Sequence, residues 1–504
     1  MNYLLAFDAG TSGVKASLTD MAGNVIISEK EPLRVYYPRQ FYVEQKPEEW
    51  WAAVTGCAKC VLDQAGVHPR EIAALAFSCM GQSITMVDAQ GNALAPAMIW
   101  MDNRAGEEAK ILMGKLGGSK IFERLLGFKM TGNYALPKFY WAKRRAPDLY
   151  RRTRAFLDQG GYLCLRATGE WFCEWTQASC TGLLNLYTKQ WDTTTMKLFG
   201  LDADRFLPLK KPTERIGCLT AQAAAEMGLM EGTPVFGGTV DAMAAGIGAG
   251  AAALGKAFIV LGTSGNLGLS CSKKLKGQSG FATAQSGDPD KLIYIGTNNA
   301  SGASLSWAAN HLYGENGGDS QAFTKIGEDM TRVGVGSDGL LFAPWLAGER
   351  SPYPDDSLRG CFINLGINHT REHLIRAIAE GVAHNYTLMA DLAEKVTGSP
   401  IQVFRMVGGG ANYLPWMQIF ADVTGRTFEV VRNPGFGGTV GVALLAAVGL
   451  GVYPSVEEAV QVVQVEHCLA PDPENHAAYR KSHEAYQEIY PSLKKLYGKL
   501  NPTS

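Results

Sequence analysis

Four glycine clusters, each at the end of an apolar run, carry most of the chemistry this chain could do. LLAF leads into Asp8-Ala9-Gly10-Thr11-Ser12-Gly13, and PVF into Gly237-Gly238-Thr239-Val240-Asp241. AFIVL leads into Gly262-Thr263-Ser264-Gly265, and VFRMV into Gly408-Gly409-Gly410-Ala411-Asn412. A tight turn of Gly, Thr and Ser presents consecutive backbone N–H groups with hydroxyls beside them, a concavity suited to phosphate oxygens. The first and third clusters share Gly-Thr-Ser-Gly and lie near the start of each half of the chain. Two such turns could grip a triphosphate from both sides. Asp8, at the edge of the first turn, could hold Mg²⁺ directly or through water. Asp241 precedes Ala242–Gly246, which reads as the start of a helix. It is either an ordinary helix-terminal carboxylate or a general base for a hydroxyl in phosphoryl transfer.

The elements that must position these groups alternate in type. Short apolar runs at Tyr3–Phe7, Val14–Leu18, Asn24–Ser28 and Val35–Tyr37 read as strands, with a hairpin turn at Ala22-Gly23-Asn24. A helix is expected from Pro47, then strands at Ile72–Phe77 and Ser83–Val87. This alternation predicts an α/β protein with mixed sheets. A chain of 504 residues is too long for one ordinary domain. The repeated strand–turn–strand unit suggests two related domains, 1–248 and 249–504, with the small-residue segment Ala249–Gly255 as the hinge.

Composition narrows the function. The 47 basic and 48 acidic residues balance, and no sustained basic run marks a nucleic-acid binder. The cluster from Lys143 to Arg154 is broken by Pro147 and Asp148 and reads as a solvated helix face. The N-terminus has no basic lead into its short apolar stretch, so it does not read as a signal peptide. The uncharged stretch Asn433–Val456 reads as a turn feeding a buried Gly/Ala helix, not a membrane span. Ten scattered cysteines suit a reducing, cytoplasmic setting. Cys57 and Cys60 form a lone CxxC in a helical pattern and read as one core and one half-exposed thiol. Gly250–Lys256 fits GxxxxGK, but Ala257 stands where a hydroxyl should be, and the segment precedes its strand instead of following one. His369 and His373 lack the Glu of a zinc helix and read as structural. Arg350 could orient nearby groups, and a salt bridge would explain it equally well.

Taken in order, several longer segments resemble the FGGY carbohydrate kinases, and within them the xylulose kinases. They are DAGTSGVK (Asp8–Lys15), VEQKPEEWW (Val43–Trp51), WMDNR (Trp100–Arg104), TGN (Thr131–Asn133) and PKFYW (Pro137–Trp141). Further on come GTPVFGGTVDAMAAGIGAG (Gly232–Gly250), LGTSG (Leu261–Gly265), APWLAGERSP (Ala343–Pro352), the run Arg359–Ala383 and VGGGAN (Val407–Asn412). The resemblance implies two actin/hexokinase-like (ribonuclease H-like) domains with the active site in the cleft between them. It implies ATP and Mg²⁺, with Asp241 as catalytic base and Asp8, Thr11 and Ser12 beside metal and phosphates. Gly262, Thr263 and Ser264 would contact phosphate from the second domain, and Gly409, Gly410, Ala411 and Asn412 would hold adenosine. Gly81, Gln82, Trp100 and Asp102 would join Asp241 at the sugar, with Trp100 as a flat wall.

Three departures from that pattern bear on the acceptor. Gln82 stands where a histidine is usual, which keeps hydrogen bonding to a polyol but can change preference. The Thr131–Pro137 loop is short. Gly160-Gly161 replaces a Lys-Asp pair, so a helix cap is expected to be lost. The expected reaction is phosphorylation of D-xylulose to D-xylulose 5-phosphate, with gluconate, xylitol or another ketose as alternative acceptors. An actin-like ATPase or a silent sugar sensor is the more distant alternative. A homodimer is the base-rate expectation for a soluble enzyme.

Overall fold

The computed structural model describes residues 2–118, 130–313 and 320–501. Its first sheet is built from β1 (Tyr3–Ala9), β2 (Gly13–Asp20), β3 (Val25–Pro32), β4 (Ile72–Cys79), β5 (Arg215–Cys218) and β6 (Pro234–Val240), in the order β5-β6-β4-β1-β2-β3. The second contains β7 (Ala257–Leu261), β8 (Gly265–Cys271), β9 (Ala282–Gln285), β10 (Leu292–Asn298), β11 (Val403–Val407), β12 (Thr427–Val431) and β13 (Val465–Leu469), in the order β9-β10-β8-β7-β11-β12-β13.

The two sheets repeat one plan. In the first, β1 pairs antiparallel with β2 and parallel with β4, β4 runs parallel to β6, and β5 closes the edge antiparallel. In the second, β7 pairs antiparallel with β8 and parallel with β11, β11 runs parallel to β12, and β13 closes the edge antiparallel. The duplication expected from the two Gly-Thr-Ser-Gly turns is thus a duplication of topology, giving two actin-like α/β halves. The central strands are buried along nearly their whole length, as strands covered on both faces must be. The expected strand at Val35–Tyr37 is reduced to a single bridge between Tyr36 and Glu44.

The helices that matter to the site are α1 (Pro47–Ala65), α2 (Ala135–Arg145), α3 (Gln159–Thr168), α4 (Trp175–Cys180) and α5 (Asp241–Gly248), followed by α6 (Gly302–Leu312), α7 (Arg371–Thr397), α8 (Leu414–Thr424), α9 (Gly437–Gly449), α10 (Pro473–Gln487) and α11 (Ile489–Leu500). Pro47 occupies the first turn of α1, as its fixed φ favours. The cap expected to be lost at α3 is present, because Asp158 accepts a hydrogen bond from the Gly161 amide at 2.9 Å. His373 forms a capping box with Thr370 at the start of α7, a structural use. No helix among the described residues is long and apolar enough to cross a membrane.

Helices α5 and α9 exchange places between the halves. Val442–Ala447 of α9 pack with Leu4, Ala6, Ala74, Ala76 and Phe236 of the first sheet. Met243 and Ala245 of α5 pack with Phe258, Ile293, Val407 and Val431 of the second. The two helices also touch each other, backbone against backbone. A Cβ on Gly441 would stand 1.9 Å from the Ala244 carbonyl oxygen, and one on Gly248 would stand 2.0 Å from that of Gly437. The glycines are what permit this approach.

Candidate active site

The parallel register of the first sheet assembles the floor of the site. Asp8 lies opposite Ser78, and Ser78 lies opposite Thr239, across three strand ends. Ser78 donates to Asp8 Oδ1 at 2.7 Å. Among the described residues nothing donates to the second oxygen. Burial raises the Asp8 pKa, while the Ser78 hydroxyl and the charge of Lys15 oppose the rise. Lys15 itself reaches across to the second half, donating to the Gly435 carbonyl at 2.6 Å. The start of α9 abuts the same carboxylate, since a Cβ on Gly438 would stand 2.7 Å from Asp8 Cγ. The positive end of that helix favours the anion.

Asp241 follows a bulge. Gly238 has φ of +65°, and a Cβ there would stand 1.9 Å from the Phe77 carbonyl oxygen. The register of β6 shifts at this glycine, which re-aims the strand end. Behind it, Thr176 Oγ1 accepts from the Val240 amide at 2.9 Å and contacts Thr239 Oγ1 at 2.8 Å. Thr176 is in turn held by Glu174, which caps α4 by accepting from the Thr176 and Gln177 amides. Burial pushes the Glu174 pKa up to about 8.

The Asp241 carboxylate accepts from the Ala242 amide at 2.7 Å through Oδ1, and its other oxygen is bound by none of the described residues. The residue is open to solvent in the cleft, yet protein surrounds it on most sides. Desolvation, with the charge of Asp8 beside it, pushes its pKa up to about 7. It is not the side-chain cap of α5, for Val240 is the residue at the cap position. A carboxylate with one tethered oxygen, one free oxygen and a pKa near neutrality is matched to taking a proton from a hydroxyl.

Both Gly-Thr-Ser-Gly turns present free amides. In the first, Gly10 bonds back to Gly13 and Gln45 Nε2 holds the Thr11 carbonyl at 2.8 Å. In the second, the Gly302 and Ala303 amides at the start of α6 occupy the carbonyls of Gly262 and Thr263. The amides of Thr11, Ser12, Thr263 and Ser264 donate to none of the described residues. Ser12 and Thr263 are exposed. Gly409 and Asn412 are exposed too, in the turn after β11, where Asn412 Nδ2 donates to the Gly409 carbonyl at 3.0 Å. Ala411 is buried and offers only its backbone.

The other expected acceptor residues divide. Gln82 adopts φ of +62°, and its Oε1 accepts from the Ala135 amide at the head of α2 at 2.8 Å. Its NH₂ and the second lone pair of Oε1 remain for a ligand. Gly81 lies against Cys180 and Val240, on the Asp241 side. The Trp100 indole donates to Thr11 Oγ1 at 2.8 Å, and the Arg350 guanidinium covers its ring with Cζ 5.5 Å from the centroid. That ring face therefore meets a cation where a sugar face was expected. Asp102 is fully buried and accepts from the Val43 amide and, in bidentate fashion, from Arg104. It fixes the wall and presents no free oxygen.

Sequence reasoning missed Ser78, the Glu174–Thr176 support and Lys138. Lys138 is a fully buried lysine whose Nζ donates to the carbonyls of Gln82 at 2.9 Å and Ile99 at 2.7 Å. Burial lowers its pKa to about 7. A lysine inside an otherwise apolar helix face was the available signal.

A turn with unpaired amides in each half, and the Asp8 and Asp241 carboxylates at strand ends of the first sheet, are groups suited to phosphoryl transfer. Comparison with known proteins gives the same chemistry. Residues 3–248 match the N-terminal domain, and residues 257–450 the C-terminal domain, of the FGGY family of carbohydrate kinases. The chain belongs to this family and is a carbohydrate kinase that uses ATP. It is 29% identical over 504 residues to a xylulose kinase of Lactococcus lactis, covering 98% of both chains. It is 28% identical over 432 residues to a gluconokinase of Bacillus subtilis, covering 84% of this chain and 83% of that one. Its fold matches a ligand-bound xylulose kinase from Lactobacillus acidophilus with a TM-score of 0.89 at 23% identity, covering 99% and 100% of the two chains.

Proposed function

We propose that the protein transfers the γ-phosphoryl group of ATP to a hydroxyl of D-xylulose, giving D-xylulose 5-phosphate, with Asp241 as general base. The observation that carries the mechanism is the free oxygen of Asp241, on a carboxylate whose pKa is pushed up to about 7 by burial and by the charge of Asp8. The acceptor oxygen attacks the γ-phosphorus as the bond to the β-phosphate oxygen breaks. The hydroxyl proton passes to Asp241, and ADP leaves. The amides of Thr11, Ser12, Thr263 and Ser264 stabilise charge on the phosphoryl oxygens. The unbound oxygen of Asp8 suits Mg²⁺, which when present would neutralise phosphate charge. Gly409, Gly410, Ala411 and Asn412 would seat the adenosine, with Asn412 supplying the exposed polar side chain.

For the acceptor, near full-length similarity to a xylulose kinase supports the ketose. Gluconate is the second reading, favoured by comparable similarity to a gluconokinase and by a Gln82 whose NH₂ is unbonded among the described residues and could donate to a carboxylate. The test is ADP release from MgATP with D-xylulose, L-xylulose, D-ribulose, L-ribulose, xylitol, gluconate and glycerol. Asp241→Asn should keep ATP binding and lose turnover by roughly three orders of magnitude or more. Near-normal turnover would remove Asp241 from the base role. Preference for gluconate would move the substrate and keep the mechanism.

A further inference from the structure

We propose that Arg350, contributed by the second half of the chain, is an acceptor-binding residue whose guanidinium hydrogen-bonds an oxygen of the sugar. The inference rests on the kinase reading above and names a recognition group for the same site. Its first support is location. The guanidinium lies on Trp100 of the first half, and the Trp100 indole is fixed by Thr11. Arg350 is also close enough to act electrostatically on Tyr134 and Lys138. Lys138 in turn holds the Gln82 carbonyl, which puts Arg350 in the neighbourhood of the segment that carries Gln82.

The second support is an unused bonding capacity. Arg104, Arg376 and Arg426 are each engaged by carboxylates. The half-buried Arg350 side chain makes no hydrogen bond or ion pair among the described residues. The salt bridge that could have explained it is absent there. The Glu349 carboxylate feels the Arg350 charge but does not touch the guanidinium, so its N–H groups remain available to an oxygen ligand.

The third support is a rigid mount. The buried Glu349 carboxylate accepts from Asn298 Nδ2 at 2.9 Å, from the Asn299 amide at 2.9 Å and from the Arg350 amide at 2.8 Å. Gly280 packs so tightly on the Arg350 carbonyl that a Cβ would stand 1.8 Å from its oxygen. Helix α11 braces the loop from behind. Tyr490 stacks on Tyr353 at 4.1 Å, and Asn501 Nδ2, just beyond the helix, donates to the Ser357 carbonyl at 2.9 Å. A donor fixed in advance loses little freedom on binding.

The experiment compares wild type, Arg350→Met and Arg350→Lys in steady-state kinetics with D-xylulose and with D-gluconate, alongside the MgATP KM and the Tm. Arg350→Met should raise the acceptor KM about tenfold or more and leave the MgATP KM within about twofold. Arg350→Lys should not restore the affinity, because an ammonium cannot lie flat on the indole and donate as a fork. An effect on both acceptors identifies a hydroxyl or carbonyl ligand, and an effect on gluconate alone identifies a carboxylate. Either outcome supports the assignment. An unchanged acceptor KM, or a fall in kcat alone, overturns it. If Arg350→Met does not fold, Arg350→Gln is read by the same criteria. If wild type turns over neither acceptor, those two substrates fail, and calorimetry of both acceptors decides the role of Arg350. Binding lost in Arg350→Met supports it, and equal or absent heats in both proteins overturn it.

Discussion

In the proposed role of Asp241 as general base, the demands of catalysis and stability conflict. A base for a hydroxyl must be charged when the acceptor arrives, and the cleft disfavours that charge. In the free enzyme, kcat/KM should therefore fall below pH about 7 along a single-proton limb, measured in a pH–rate profile. The stability sign is opposite. A carboxyl whose folded pKa lies above its unfolded value contributes stability below the unfolded pKa and loses it as pH rises through the folded one. Asp241→Asn should thus raise Tm at pH 8, with a gain that shrinks toward pH 5 in a thermal melt series. Asp8 and Asp241 were legible in the sequence because each ends an apolar run beside glycines. Ser78 was not, because the parallel register that sets it opposite Asp8 brings together residues far apart in the chain.

Support for Asp241 works at the level of elements. Helix α4 is short, and its capping carboxylate, hydroxyl and neighbouring strand form one connected chain from Glu174 through Thr176 to Val240. Thr176→Val keeps the shape and removes the acceptor of the Val240 amide. It should lower kcat about tenfold with the MgATP KM unchanged, and cost roughly 1–3 kcal/mol in a denaturant titration because an amide is left unpaired. Strands and helix starts around the site were predictable from apolar runs, Pro47 and the glycine turns. Val35–Tyr37 failed as a strand because β-type composition without a partner to pair with yields only a bridge. The cap of α3 was misjudged because the sequence reading looked at Gly160-Gly161, where the capping oxygen belongs to Asp158.

Over the whole molecule, the two sheets are joined through α5 and α9 as well as through the linking segment, where Ala249, Ala251 and Ala252 are buried. Their glycine contacts set how closely α5 and α9 approach one another. Gly441→Leu forces a side chain against the Ala244 backbone and should lower Tm by several degrees. It should also raise the KM for acceptor and MgATP together, measured by melts and steady-state kinetics, since both halves lose alignment. The duplication was visible in the repeated Gly-Thr-Ser-Gly motif. The exchange of helices was not, because an apolar Gly/Ala helix carries no mark of which sheet it will cover.

That exchange also bears on how the chain is made. One face of the first sheet is covered by Val442, Leu444 and Leu445, with Val456, Ala459 and Val460 of the same cluster further on, all of which follow its last strand in the chain. Each fully buried aliphatic side chain is worth roughly 1.5–3 kcal/mol. All six strands of the first sheet precede α9 in the chain, and the part of the apolar face that α9 covers therefore stays bare until the segment through Gly449 has emerged. During that interval the face is transiently exposed apolar surface, the kind that makes partly folded chains aggregation-prone.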